Sequence, residues 1–274
     1  MVQQSRRRGV HRAGLGWLAA ALCLSGSVLL ASPSAAAAAS VSCDELILVG
    51  HRGYGVGPDE NTIPHLQRAA EAGARSVEFD VRRTEDGVIA IMHDPQVDRT
   101  TDGTGLISQM PWRTVKALRT ESGYNPPSFA MVLQSMAPLG VGLQVHLKVG
   151  FDDRTLNRIG NKLRRHGFTP RSVQVNADRL GLLRRIERLT GFPTGYTYVG
   201  EATAERIDEV ASYGVDMAVM PWAQVTPEWV AYADSVGVEL GARGPSIAVE
   251  WAMQTGVRRL VVDRWEQSCA TRRA

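Results

Sequence analysis

The sequence has few cysteines and few aromatic residues, and neither sign of charge is in marked excess. Three cysteines occur in 274 residues, aromatic residues make up 6%, and the formal net charge is +3. Removing residues 1–39 would take away four arginines and no acidic residue, which changes the formal charge to −1. A nearly neutral chain gives no reason to expect binding to nucleic acid or to a membrane surface. We therefore predict no nucleic-acid partner.

The long apolar run of the sequence lies close to its N-terminus. A segment with four arginines precedes an apolar stretch, Leu15–Leu30, and a run of small residues, Ala31–Ala39. These three parts are typical of a secretory signal peptide over residues 1–39. An uncleaved membrane anchor is the alternative, although the stretch is short for a span and contains Ser25 and Gly26. We predict a secreted protein with a mature domain at 40–274 and no stable membrane insertion after cleavage.

Two cysteines would remain in the mature chain, Cys43 before the first predicted strand and Cys269 after the last. In an exported protein, an isolated pair of cysteines favours a disulfide. If the first and last strands are neighbours, this bond would join the two ends of the domain. Two unpaired thiols are the alternative.

Short apolar strands alternate with helical segments along most of the chain. We predict parallel strands at 46–50, 76–80, 142–148, 172–176, 194–198, 216–220, 238–242 and 259–263. Five later helices, near 152–166, 178–189, 203–213, 226–236 and 246–255, are each followed by a glycine suited to a helix C-terminus. This pattern predicts an α/β fold of the closed (β/α)8 TIM-barrel type. An open doubly wound sheet is the alternative, but no glycine-rich phosphate loop leads directly into a helix after the first strand.

The segment Ser76–Asp94 predicts a β-hairpin that gathers polar side chains. Glu78 and Asp80 are two residues apart, so their side chains point to the same face of a strand. An Asp-Gly turn at 86–87 leaves too few residues for a crossover, so the return strand at 88–92 must run antiparallel. His93 would then return level with the two carboxylates. Such a cluster suits a hard metal ion beside a proton-transfer group.

Residues 98–127 depart from the β/α pattern because they are rich in turn-forming residues. We predict a small insertion after the hairpin, of the kind that often covers an active site, and a helix beginning at Ser128. In a TIM barrel the functional residues lie at the carboxyl ends of the strands. In this chain those ends carry imidazoles, acids and cations, and no G-x-S-x-G nucleophile turn occurs in the sequence.

Five short motifs occur in an order and spacing that resemble the glycerophosphodiester phosphodiesterase family. They are His51-Arg52-Gly53, Glu60-Asn61-Thr62, Glu78-x-Asp80, Asp86-Gly87 and His93-Asp94. The resemblance is strong over residues 46–105 and general after about residue 140. It implies a barrel enzyme that hydrolyses small glycerophosphodiesters to sn-glycerol 3-phosphate and an alcohol, using one divalent metal ion, Ca or Mg.

The resemblance also implies roles for particular residues. His51 and His93 would be the acid–base pair, with His51 as proton acceptor and His93 as donor, although the sequence does not fix that order. Glu78 and Asp80 would bind the metal ion. Arg52 and Lys148 would hold phosphate oxygens.

Two positions depart from the family pattern. Where the family has Glu-x-Lys after the insertion, this chain has His146-Leu147-Lys148. We predict that His146 binds the metal ion, which makes Mn or Zn possible; a weakened or lost site is the alternative. The family's Trp near the end of the seventh strand is absent, and Arg243 stands there instead. Arg243 would contact an anionic headgroup or form a surface salt bridge.

Other polar residues have simpler interpretations. We interpret Asn61 as a helix cap, His65 as a solvated helix residue and Asp263 as the partner of a neighbouring arginine, and leave Glu60 open between capping and orienting the site. We expect a monomer. Two alternative functions stay open: a phospholipase D-like enzyme of the sphingomyelinase D type that acts on intact lipid, and a catalytically impaired barrel that serves as a binding module.

Overall fold

The structure is a computed structural model that describes residues 40–198, 200–247 and 249–265. The strands within these ranges are β1 (Ile47–Gly50), β2 (Ser76–Arg83), β3 (Ile89–Ile91), β4 (Gly142–Leu147), β5 (Val173–Ala177), β6 (Thr194–Thr197), β7 (Met217–Pro221), β8 (Glu239–Gly244) and β9 (Arg259–Val262). All but β3 run parallel and close into a barrel, in the order β1, β2, β4 to β9 and back to β1. The predicted TIM barrel is therefore confirmed.

Helices connect the strands along the outside of the barrel. In the described part of the chain they are α1 (Ile63–Glu71), α2 (Trp112–Val115), α3 (Phe129–Met136), α4 (Asp153–Arg165), α5 (Leu180–Thr190), α6 (Ala204–Ser212), α7 (Pro227–Ser235) and α8 (Val249–Thr255). Helix α3 begins as predicted, because the Ser128 hydroxyl accepts a hydrogen bond from the Met131 amide.

The predicted hairpin consists of β2 and β3. Val81 pairs with Ile91 in antiparallel register, and the turn closes through the Thr84 amide, which donates to the Val88 carbonyl. The Met92 amide donates to the Asp80 carbonyl at 2.9 Å. This register brings His93 level with the end of β2, as the position of the turn predicts.

The alternation of residues along β2 separates the core from the site. Val77, Phe79 and Val81 belong to the main hydrophobic core between barrel and helices, where the rings of Phe79 and Phe129 lie 6.1 Å apart. Glu78 and Asp80 alternate with these three residues along β2, so their side chains point to the other face of the sheet, into the barrel.

The interior of the barrel has an apolar side and a polar side. Buried apolar side chains from β1, β7 and β9 pack together there: Val49, Met217, Val219 and Val261. On β4 and β5 the buried side chains include Gln144, His146, Gln174 and Asn176. The polar side adjoins β2, because β4 pairs directly with β2, so the carboxylates of Glu78 and Asp80 have polar neighbours.

The insertion packs against β3 and the residues that follow it through a small hydrophobic core, formed by Ala90, Met92, Val97, Ile107 and Val115. The hydroxyls of Thr120 and Ser122 each donate a 2.6 Å hydrogen bond to the Asp59 carboxylate. The insertion is thereby fastened to the loop between β1 and α1, at the carboxyl end of the strands.

Among the described residues, no helix combines the length and the hydropathy needed to cross a membrane. The predicted signal peptide, residues 1–39, and Cys269 lie outside the described residues. The domain boundary at residue 40 and the bond between Cys43 and Cys269 therefore stay predictions.

Candidate active site

A cavity of about 400 Å³ opens at the carboxyl ends of the barrel strands. All seven non-cysteine residues predicted for the site line it: His51, Arg52, Glu78, Asp80, His93, His146 and Lys148. Asp178 and Arg243 line it as well. Residues from β1, the hairpin and β4 thus meet in one place, as the positions of these residues at strand ends predict.

Glu78, Asp80 and His146 form a buried cluster whose ligand atoms lie within 4.8 Å of one another. The parallel register pairs Asp80 directly with His146 on the neighbouring strand. The Nδ1 atom of His146 is 3.4 Å from Asp80 Oδ1 and 3.7 Å from Glu78 Oε1. Two carboxylate oxygens and one imidazole nitrogen therefore converge, which is the arrangement of a candidate metal site.

Each carboxylate of the cluster has its second oxygen fixed by the protein. Glu78 Oε2 accepts a 2.8 Å hydrogen bond from the Arg52 amide, and Asp80 Oδ2 accepts one of 2.9 Å from Asn61 Nδ2. The Asp80 amide in turn donates to Asn61 Oδ1. The interpretation of Asn61 as a helix cap is therefore wrong, because its side chain orients Asp80 so that Oδ1 faces the centre of the cluster.

Arg52 and Asn61 also share an unusual backbone conformation. Their φ angles are +52° and +62°, and within the described ranges they are the only non-glycine residues with positive φ. Such a conformation costs on the order of 1 kcal/mol per residue and occurs mostly where function requires it. Here it directs the Arg52 amide and the Asn61 side chain to Glu78 and Asp80.

Asp178 holds the imidazole of His146 from its outer side. His146 Nε2 lies 2.8 Å from Asp178 Oδ1, which leaves Nδ1 to face the two carboxylates. Burial lowers the pKa of His146, but hydrogen bonds with Asp178, Asp80 and Glu78 outweigh burial and raise it to about 10. A divalent cation fits this donor set, since it would take the place of the proton on Nδ1.

The cations near the cluster are compensated by acids. Lys148 Nζ is 3.8 Å from both Asp80 Oδ1 and Asp178 Oδ2. Arg52 pairs with Glu60 at 2.9 Å and with Asp80 at 3.6 Å. Burial would raise the pKa of Asp80, yet the neighbouring His146 and the other nearby positive groups hold this pKa far below its usual range. Asp80 is therefore a carboxylate at any physiological pH.

His51 is oriented by an acid from the far end of the chain. Gly50 pairs with Val262 across the β1–β9 junction, so the next residues, His51 and Asp263, lie side by side. Their Nδ1 and Oδ1 atoms are 2.6 Å apart. Pairing of Asp263 with a neighbouring arginine is therefore wrong. With Nδ1 held by this carboxylate, Nε2 of His51 is the nitrogen left for the cavity.

His93 is also oriented by a carboxylate, but this carboxylate additionally binds an arginine. His93 Nδ1 lies 2.6 Å from Asp94 Oδ1, while Asp94 Oδ2 accepts a 2.5 Å hydrogen bond from Arg99 of the insertion. Arg99 also pairs with Glu60, so Glu60 joins Arg52 and Arg99 and orients the site rather than capping a helix. Burial lowers the pKa of His93, and the charges of Asp80 and Asp94 only partly offset this effect.

His65 is more enclosed than its interpretation as a solvated residue implies. The side chain is half-buried, and its Nε2 lies 3.2 Å from the Gly55 carbonyl in the loop after β1. It is not among the residues lining the cavity.

Replacing Asp263 with asparagine is expected to lower kcat about 100-fold with little change in KM, because His51 loses the anion that stabilises its protonated form. Steady-state kinetics on a glycerophosphodiester measures this split. Asp234→Asn, which removes a carboxylate paired with Arg258 on the outside of the barrel, is the matched control. A rise in KM at unchanged kcat would contradict an orienting role for Asp263.

Comparison with known proteins finds similarity both in sequence and in fold. Residues 51–167 match the glycerophosphoryl diester phosphodiesterase family. The human glycerophosphodiester phosphodiesterase 1 is 37% identical over 81 residues, which cover 30% of this chain and 24% of that protein. The chain thus matches about a quarter of the length of this curated relative.

Solved structures match over a longer part of the chain. A glycerophosphodiester phosphodiesterase from Agrobacterium tumefaciens has a TM-score of 0.69 at 22% identity and covers 82% of this chain and 99% of its own. A phosphodiesterase from Oleispira antarctica, solved with its product sn-glycerol-3-phosphate, has a TM-score of 0.70 at 22% identity and covers 82% and 95%.

The closed barrel described above thus has the fold of these two solved phosphodiesterases. The sequence similarity to the glycerophosphoryl diester phosphodiesterase family lies within residues 51–167, which include His51, Glu78, Asp80, His93 and His146.

Proposed function

We propose that this protein hydrolyses glycerophosphodiesters to sn-glycerol 3-phosphate and an alcohol. One observation carries the proposal: two histidines, each backed by a carboxylate, line the same cavity as a buried cluster suited to a divalent cation. A phosphodiester is anionic and resists attack, so its hydrolysis needs both charge neutralisation and proton transfer. Release of glycerol 3-phosphate from a purified substrate, detected by mass spectrometry, tests the proposal.

The protein's own groups divide the work of this reaction. Glu78, Asp80 and His146 would hold the cation, which supplies neutralisation of the charge that develops on the phosphoryl oxygens. Arg52 and Lys148 would orient the phosphate by hydrogen bonds to its oxygens. His51 would accept the proton of the attacking hydroxyl at Nε2, and His93 would donate a proton to the leaving alkoxide. The attacking group would be water or the glycerol hydroxyl of the substrate.

The partners of the two histidines support this order of acid and base. Among the described residues, Asp263 forms its ion pair with His51 alone, so its full charge can stabilise an imidazolium formed there. Asp94 is shared between His93 and Arg99, which weakens its hold on a proton at His93. We therefore assign His51 as base and His93 as acid.

Replacing His146 with glutamate is expected to shift the metal preference from Mn or Zn toward Ca or Mg, because a carboxylate replaces the borderline imidazole ligand. Calorimetric titration with each cation measures the order of affinities, and it does so independently of activity. His146→Gln, of similar length but without the same donor, is the matched control and is expected to weaken binding of every cation. The same order of affinities in all three proteins would contradict ligation by His146.

We also propose export of the protein and a disulfide between Cys43 and Cys269. The basic and apolar segments of residues 1–39 and the small number of cysteines support both. The secreted form is expected to begin near residue 40 and to migrate differently on electrophoresis with and without reductant. A full-length protein retained in the cell would contradict export.

A second candidate function, cleavage of intact lipids, is favoured by one observation. Three exposed apolar side chains, Val56, Val149 and Trp222, lie in the connections that follow strands β1, β4 and β7, at the same end of the barrel as the cavity. The cavity itself is lined mainly by polar and charged residues, which favours a small polar substrate. Parallel assays on glycerophosphocholine and sphingomyelin separate the two functions.

A further inference from the structure

Arg243 on β8 is a cation that lines the cavity and, among the described residues, forms no ion pair. Within the described part of the chain, no carboxylate oxygen lies within 4.0 Å of its guanidinium, and its buried Nε has no hydrogen-bond partner. Arg52 and Lys148, which line the same cavity, both have acidic partners. The alternative of a surface salt bridge for Arg243 is therefore wrong.

The surroundings of Arg243 on the barrel wall offer it no acceptor side chain. The strand register places Pro221 on one side and Val261 on the other. Burial lowers the pKa of the Arg243 guanidinium, and the charge of Asp178 only partly offsets this effect. A buried Nε without a hydrogen-bond partner is costly unless a ligand supplies one.

The closed barrel sets the side from which Arg243 reaches the cavity. Strand β8 is separated from β4, which carries His146, by three strands in either direction around the barrel. Arg243 therefore enters from the wall opposite the Glu78–Asp80–His146 cluster. A phosphodiester bound at that cluster would direct one of its two substituents toward Arg243.

We propose that Arg243 is a specificity-determining residue that binds a second anionic group on the alcohol part of the substrate. This inference rests on the proposed hydrolysis of glycerophosphodiesters. Of the two substituents on the phosphate, glycerol is always neutral, whereas the alcohol varies in charge. The substrate class is thus a glycerophosphodiester whose alcohol carries a phosphate or a carboxylate. An alcohol with a quaternary ammonium group would be disfavoured by the same cation.

A matched pair of substrates tests the inference. Glycerophosphoinositol and glycerophosphoinositol 4-phosphate differ by one phosphate on the alcohol part, and release of glycerol 3-phosphate measures both. The wild-type kcat/KM is expected to favour the phosphorylated compound about tenfold to hundredfold, as for a charge-assisted hydrogen-bonded pair. Arg243→Gln should reduce this ratio to about one, and Arg243→Lys to an intermediate value.

Arg171→Gln is the control, because it removes the same charge from an exposed position at the opposite end of the barrel. It should keep the wild-type ratio, which excludes a general effect of net charge. Thermal unfolding of each variant shows whether the fold is retained.

Two results would overturn the inference: a wild-type ratio of one or below, or an equal loss on both substrates in Arg243→Gln, which would assign Arg243 to the common phosphodiester. Cleavage of neither compound by the wild type would instead contradict the proposed hydrolysis. In that case, the affinity for glycerophosphoinositol 4-phosphate, measured by calorimetry, tests the role of Arg243 independently of hydrolysis. Weaker binding by Arg243→Gln supports its role, and unchanged binding contradicts it.

Discussion

Replacing His93 with alanine is expected to lower kcat about 10³-fold, within the range that a positioned general acid contributes. The leaving alkoxide would then have to depart without a proton, since no other described histidine but His51 and His146 lines the cavity, and those two serve other roles here. The fold should be kept, because His93 is only partly buried and its backbone carbonyl, which accepts from Arg82, is unchanged. Steady-state release of glycerol 3-phosphate measures the effect.

Two companion measurements separate a chemical role of His93 from a structural one. His166→Ala removes a histidine at the end of α4, outside the cavity, and should leave kcat unchanged. Added imidazole should restore part of the activity of His93→Ala, since it can supply the missing proton donor. Wild-type activity in His93→Ala would rule out the assigned acid.

Replacing Asp80 with asparagine is expected to have the second of the two largest effects. Loss of the cation's charge stabilisation is worth several kcal/mol, and about 4 kcal/mol corresponds to a roughly 10³-fold fall in kcat/KM. The substitution is nearly isosteric, but it removes a charge that faces His146, Lys148 and Arg52. Metal affinity, measured by calorimetry, should fall together with activity.

A graded comparison makes this prediction more specific. Asp178→Asn should reduce metal affinity about 10- to 100-fold, because Asp178 orients His146 without itself belonging to the three converging ligands. Asp208→Asn, on the outside of the barrel near Tyr232, should have no effect. Equal losses in Asp80→Asn and Asp178→Asn would contradict the assignment of Asp80 as the direct ligand.

Much of the fold follows from local patterns in the sequence. The period of two along β2 separates Glu78 and Asp80 from Val77 and Phe79, and a glycine after each later helix marks its end. The five later helices accordingly lie within three residues of their predicted ends. The hairpin was predictable because its length excludes a parallel return, and that fixes His93 beside Asp80.

The parts of the site that were missed depend on register or backbone conformation. Asp263 reaches His51 only because Gly50 pairs with Val262. This pairing register between β1 and β9 cannot be predicted from the sequence pattern of either strand alone. Asp178 directly follows β5 and is two residues after Asn176, so the alternation of side chains along the strand predicts that both point into the barrel. This alternation could have identified Asp178 as a site residue. Asparagine suits both a helix cap and the left-handed conformation that Asn61 adopts, so its residue type does not distinguish the two roles.

The central claim is that the cluster of Glu78, Asp80 and His146 and the two histidines together perform metal-dependent hydrolysis. The most direct measurement is glycerol 3-phosphate release from glycerophosphoglycerol by residues 40–274, after chelation and after addition of Mn, Zn, Ca or Mg in turn. We predict no release in the chelated protein, recovery with at least one cation, most strongly with Mn or Zn, and no recovery in His93→Ala. Undiminished release after complete chelation, or none with any cation, would contradict the account.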